Sequence, residues 1–138
     1  MSVTEYETGA DGLDSRDLEG FFEGWPAAPD AAALLRILRA SAFAMVARDG
    51  IRVVGFINAL SDGELAVYVP LLEVRASHRG LGIGSELVRR LLDHFEDAYM
   101  IDVVCDDDVV PFYERLGLTR VAGMAHRNRQ SPILTGAV

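Results

Sequence analysis

The stretch Val74-Arg75-Ala76-Ser77-His78-Arg79-Gly80-Leu81-Gly82-Ile83-Gly84-Ser85 decides how this chain folds. Upstream, Glu64 to Arg75 reads as a strand. Downstream, Ile83, Leu87, Val88, Leu91, Leu92 and Phe95 recur on one face of a helix, and Glu86 with Arg90 and Arg89 with Asp93 sit four apart on the other. The stretch is therefore a strand-to-helix turn. Gly80, Gly82 and Gly84 permit positive φ and a close backbone approach to a ligand. The first amides of a helix have no internal partners, and with the helix dipole they form an anion site suited to a pyrophosphate. Arg79 can add a charge-assisted hydrogen bond.

Working outward toward the N-terminus, Pro70 interrupts the strand and marks a bulge or a lapse in pairing. Ser61-Asp62-Gly63 signals a turn, and Asp49-Gly50 joins a strand from Ala42 to Arg48 with one from Ile51 to Leu60. Asp30 is a good N-cap for a helix that buries Leu34, Leu35, Ile37 and Leu38. Leu18, Phe21 and Phe22 suggest a short helix from Asp14 to Phe22, broken at Gly24-Trp25-Pro26. Residues 1–13 are expected to be a flexible lead.

Toward the C-terminus, Tyr99 to Cys105 is a strand. Asp106, Asp107 and Asp108 can cap a helix that carries Phe112, Tyr113 and Leu116 and stops at Gly117. Leu118 to Arg127 reads as a last strand, and residues 129–138 carry no clear signal. The resulting order, α-α-β-β-β-α-β-α-β, defines a single α/β (α+β) layered domain over residues 1–138. Gly80, Gly82 and Ser85, with Asp102 about twenty residues on, approach a dinucleotide-binding fingerprint. Too little chain follows Asp102 to complete that fold, and a hairpin precedes the turn.

Composition narrows the function. Half of the 138 residues are hydrophobic and the net charge is −8, which disfavours nucleic acid and anionic membranes as partners. Before Ala31, eight acids face Arg16 alone. They form either an acidic rim for a cationic amine or a solvated face. Lysine is absent, which excludes a lysine Schiff base and a Walker P-loop. The histidines show no metal-ligand spacing, so no metal is expected. Cys105 is the lone cysteine, and the N-terminus lacks the pattern of a signal peptide. The expected location is cytoplasmic.

At this point the chain resembles the GNAT superfamily of N-acyltransferases. Arg79-x-x-Gly82-x-Gly84 is similar to that family's R/Q-x-x-G-x-G/A element, and Pro111-Phe112-Tyr113-Glu114-Arg115-Leu116-Gly117-Leu118 to its F-Y-x-x-x-G-F segment. Gly24-Trp25 and Ser61-Asp62-Gly63 resemble features of one bacterial branch with undefined acceptors. The likeness runs from Leu18 to Val121.

The resemblance implies a mixed, mainly antiparallel sheet with splayed central strands and helices on both faces. It also implies acetyl-coenzyme A as co-substrate, held by Leu72, Glu73, Val74, Arg79, Gly80, Leu81, Gly82, Ile83, Gly84 and Ser85. Leu72, Glu73 and Val74 would pair with the pantetheine amides, and the Val74 N–H would polarise the thioester carbonyl. Tyr113 matches the family's general acid; read without the motif, it would be a packed core tyrosine. Many relatives carry asparagine where this chain has Asp106, which can accept from pantetheine or cap a helix but cannot donate. Glu73 and Asp102 are the carboxylates available as general base, and the sequence does not say which face of the strand meets substrate.

Phe22, Trp25, Phe56 and Asn58 are candidates for an acceptor pocket. The implied reaction is direct acetyl transfer to a primary amine, on a small molecule or a peptide, in a ternary complex. The alternative is a non-catalytic acyl-coenzyme A sensor. Apolar edges at the N-terminal helices and the last strand suggest a homodimer.

Overall fold

The computed structural model describes residues 3–136. Its centre is a sheet ordered β1-β3-β4-β5-β7, with β6 beside β4. These strands are β1 (Thr4–Thr8), β3 (Phe43–Asp49), β4 (Arg52–Ser61), β5 (Ala66–Val69), β6 (Leu72–Val74) and β7 (Met100–Val103). All pairings in it are antiparallel except β5 with β7. A two-residue strand β2 (Ala27–Ala28) pairs with β8 (Thr135–Gly136) away from the main sheet.

Helices cover both faces. On β3, Met45 and Ala47 point to one side, where α2 (Ile83–His94) contributes Ile83, Leu87, Val88 and Leu91. Ala44 and Val46 point to the other, where α1 (Ala31–Ala40) contributes Leu34 and Leu38. Both helices carry the period that strand alternation cannot satisfy, so each buries one stripe. The Asp30 side chain accepts from the Ala33 amide at 2.8 Å, the N-cap expected of it.

Four expectations are corrected. Thr4–Thr8 is not a loose lead but an edge strand on β3. Its alternating Thr-Glu-Tyr-Glu-Thr is a strand pattern hidden by its polarity. The helix expected over Asp14 to Phe22 shrinks to a 3-10 turn, Ser15–Leu18: Glu19 is already extended, with ψ 147, and Gly20 follows at φ +84. α3 covers only Val110–Glu114, after a 3-10 turn at Asp107–Val109. No strand forms over Leu118 to Arg127; the chain there is irregular and, from Thr119, exposed. Of the uncertain tail, residues 137 and 138 lie outside the described residues.

The long strand predicted over Glu64 to Arg75 breaks where Pro70 said it would. β5 pairs with both β4 and β7, whereas β6 pairs with β4 alone, so a gap opens beyond Pro70-Leu71 on the β7 side. Asn58 holds the break together. Its Oδ1 accepts from the Leu71 amide at 3.1 Å, and its Nδ2 donates to Ser41 Oγ at 3.0 Å. No helix among the described residues is long and apolar enough to cross a membrane.

Candidate active site

The gap and the turn that follows it make one site. Glu73 faces Phe56 across the β4–β6 ladder, and Leu71 and Arg75 exchange bonds with β4: Asn58 N–H donates to Leu71 O at 3.2 Å and Arg75 N–H to Val54 O at 2.8 Å. Antiparallel alternation then turns the backbone groups of Leu72 and Val74 away from β4 into the gap. The Val74 carbonyl already accepts from Arg79 Nε at 3.1 Å. The Val74 and Leu72 side chains lie on the α2 face, where both pack against the core.

At the turn, Gly80 and Gly82 take φ +79 and +84, and Gly82 is the left-handed N-cap of α2. A Cβ built at either meets nothing within 4 Å, so conformation rather than space demands glycine there. Gly84 differs. Its Cβ would stand 3.5 Å from the Phe112 ring, so it lets α3 lie close to α2. The first α2 bond runs from Glu86 N–H to Gly82 O at 3.0 Å, and the amides of Ile83, Gly84 and Ser85 precede it. The Ile83 side chain is buried, while Leu81 is exposed. His78 serves the turn as an anchor: Nε2 lies 2.9 Å from Asp49 Oδ2 and Nδ1 2.7 Å from Ser77 Oγ.

Tyr113 is buried on α3 and meets Phe112 edge-on at 4.9 Å. Burial, with Cys105 adding to it, pushes its phenol up to about 12. No hydrogen bond engages the hydroxyl among the described residues. Asp106 is exposed, and its side chain makes no capping bond. Its backbone carbonyl instead accepts from the Val109 amide at 3.0 Å.

Glu73 points to the α1 face, opposite the side chains of Leu72 and Val74. It lies in a small recess with Gly20, Phe21, Phe22, Glu23 and Arg79. Burial raises its pKa, and the Arg79 guanidinium partly offsets the rise. Asp102 is on an exposed face of β7, opposite Tyr68.

Beyond Phe22 opens a larger recess of about 300 Å³, lined among others by Phe22, Trp25, Pro26, Pro29, Leu34 and Thr135. Phe22 is the one non-glycine residue with positive φ, +67, among those described. Such a conformation costs energy and is held here by its ring contacts with Trp25 at 4.8 Å and Phe56 at 6.1 Å. The recess and the Glu73 pocket share Gly20, Phe21 and Phe22. Phe56 and Asn58 do not line it: Phe56 is wholly buried beneath Phe21, and both ends of the Asn58 amide are engaged.

Sequence reasoning missed Arg75. Its Nε donates to Val53 O at 2.6 Å, its terminal nitrogens to Glu19 O at 2.8 Å and Asp17 O at 3.2 Å, and its guanidinium caps the Phe21 ring at 4.1 Å. One side chain thus ties the segment after Asp14 to the central strands. The only sequence signal was an arginine among apolar strand residues. Among the described residues no cluster of histidine, cysteine and carboxylate side chains could hold a metal.

Comparison with known proteins agrees with this geometry. Residues 11–118 match the acetyltransferase (GNAT) family, and the chain belongs to it. A crystal structure from Deinococcus radiodurans R1, provisionally described as an acetyltransferase, is 53% identical over 90% of this chain and 87% of its own, with a TM-score of 0.86. A GNAT-family acetyltransferase from Streptococcus pneumoniae TIGR4 is 27% identical over 93% and 100%, with a TM-score of 0.76. An aminoglycoside acetyltransferase from an uncultured soil sample, solved with sisomicin, shares the fold at 16% identity over 93% and 96%, with a TM-score of 0.65. No curated protein gives a significant match.

Proposed function

We propose that this protein transfers an acetyl group from acetyl-coenzyme A directly to a primary amine within a ternary complex. The observation that carries the reading is the gap beside β6, with unpaired backbone groups on its wall and the glycine turn of α2 at its end. Those residues fit the co-substrate. The amides of Ile83, Gly84 and Ser85 and the Arg79 guanidinium suit a pyrophosphate. The outward groups of Leu72 and Val74 suit the pantetheine amides as a mock strand.

Acetyl-coenzyme A supplies the activated acetyl group; the chain supplies proton traffic and orientation. The Val74 N–H is the donor for the carbonyl oxygen as charge builds on it. Glu73, on the acceptor face, takes a proton from the attacking amine as the C–N bond forms. Tyr113, on the α2 side, gives its proton to the sulfur as the C–S bond breaks. Burial raises both groups, and with the phenol pushed up to about 12 Tyr113 stays neutral near pH 7. The recess at Phe22 and Trp25 is the acceptor pocket in this reading, with Glu19 and Asp30 at its wall to favour a cation.

A panel of amines assayed for coenzyme A release tests the proposal. Release that depends on an amine supports it. Tight acetyl-coenzyme A binding with no release toward any amine would favour the sensor instead.

A further inference from the structure

The recess beside Phe22 is walled mainly by apolar side chains. Leu18 and Leu34 are buried at it, and Trp25, Pro26 and Pro29 add to the wall. Trp25 is 48% exposed, although its ring meets that of Phe22 at 4.8 Å and 56°. A large ring left half open beside a buried one suits a third ring laid against the pair. Among the described residues, Glu19 and Asp30 are the charged side chains of the lining, and no basic one joins them. Side-chain donors are as few: the Trp25 indole and the Thr135 hydroxyl, and the latter already donates to Ala28 O at 3.0 Å. Asp30 Oδ1 already accepts from the Ala33 amide.

The turn holds this shape at a cost. Gly20 and Gly24, both at φ +84, flank Phe22 at +67, and the Trp25 amide donates to Phe22 O at 3.1 Å. Backbone strain of this kind persists where the surroundings over-determine it, and ligand clamps are such places. Phe22 is also a wall of the Glu73 pocket, together with Gly20 and Phe21. A ligand lying in the recess can therefore bring one end past Phe22 to Glu73. The recess measures about 300 Å³. At about 30 Å³ for each water-sized group, it admits a body of about ten non-hydrogen atoms.

We infer that the acceptor is an arylalkyl amine, a primary ammonium on a short chain joined to a single aromatic ring. The inference rests on the acetyl-transfer reading above and adds the class of acceptor to it. The ring lies against Trp25 and Phe22, and the chain carries the nitrogen to Glu73. After the ammonium loses one proton to solvent, its nitrogen forms the C–N bond, a second proton passes to Glu73, and the sulfur leaves with the proton of Tyr113. Glu19 and Asp30 attract the cation and repel anionic compounds of the same shape. Amino sugars and peptides are disfavoured, because their hydroxyls or amides would be buried against a wall with few partners for them. Trp25 is the specificity-determining residue.

Trp25 is the chain's single tryptophan, so its fluorescence reports on this recess alone. With coenzyme A present, titration with 2-phenylethylamine should give a saturable change in that fluorescence, and glucosamine should give none. In the release assay, 2-phenylethylamine should exceed both glucosamine and a short lysine peptide by at least about tenfold in kcat/KM. Trp25→Ala should raise KM for 2-phenylethylamine by about tenfold or more, with acetyl-coenzyme A affinity unchanged. No fluorescence response to 2-phenylethylamine, turnover that favours glucosamine or the peptide, or an unchanged KM in Trp25→Ala would each overturn the inference and leave acetyl transfer standing. A saturable response to 2-phenylethylamine with no release from any amine would support the ligand class and overturn the transfer reading instead.

Discussion

Tyr113 and Glu73 are both partly withdrawn from water, and the same physics moves them in useful directions. Burial favours the neutral form of each, which keeps the Tyr113 proton in place and makes Glu73 a stronger base than an exposed carboxylate. Tyr113→Phe removes one hydroxyl that has no hydrogen-bond partner among the described residues. Acetyl-coenzyme A affinity should change by less than about 1 kcal/mol. The single-turnover rate should fall by about 10²- to 10⁴-fold, the usual share of a positioned acid, and rapid-mixing measurement of coenzyme A release checks this. With the phenol near 12, no alkaline loss of kcat/KM should trace to Tyr113 up to about pH 10. Glu73 should set the acidic limb, with activity rising as it loses its proton above the ordinary carboxylate value. In Glu73→Gln that limb should disappear and the profile should follow the acceptor amine's own titration. The stability effect has the opposite sign. A carboxyl whose pKa is raised on folding stabilises the fold while protonated and loses that contribution as pH rises through the folded value. At pH 7 Glu73→Gln should therefore raise Tm, and an unchanged or lowered Tm by calorimetry would contradict the burial argument.

Among the elements, α2 offers a way to separate binding from folding. Ser85→Asp places a negative charge in the first helical turn, where the dipole tolerates or favours it. Tm should hold or rise while acetyl-coenzyme A affinity falls at least tenfold, as titration calorimetry would measure; equal loss of both would point to simple damage. Arg75 tests the opposite dependence. Arg75→Gln strands the carbonyls of Asp17, Glu19 and Val53 and removes the cap on Phe21. Urea unfolding should register a loss of roughly 2–4 kcal/mol.

Elements with strong period or distinctive turns were legible from sequence: α2, the β3–β4 hairpin, the break at Pro70 and the glycine turn. β1 was not, because its outward residues are polar and only its partner's register makes it a strand. The Leu118–Arg127 strand was overcalled, because a strand pattern does not supply a neighbour. Of the candidate site, the proposed cofactor side lies in one contiguous motif visible in the sequence. The proposed acceptor side is assembled from Glu73, the Gly20–Trp25 turn and Thr135, whose closeness only the fold creates.

Taken as a whole, the molecule is a sheet between two separate apolar clusters, one under α1 and one under α2. Strand alternation sends each buried side chain to one cluster or the other. Damage on one side has little means of being relieved or worsened from the other, so the two halves should behave as independent ledgers of mutational load. Leu34→Ala in α1 should cost about 2–5 kcal/mol and Ile83→Val in α2 about 0.5–1.5 kcal/mol. Combined, they should add to within about 0.5 kcal/mol, and a larger coupling energy in a double-mutant cycle would mean that the sheet transmits strain. A lineage carrying this fold could thus drift in the core beneath its proposed acceptor pocket without retuning the core that seats α2.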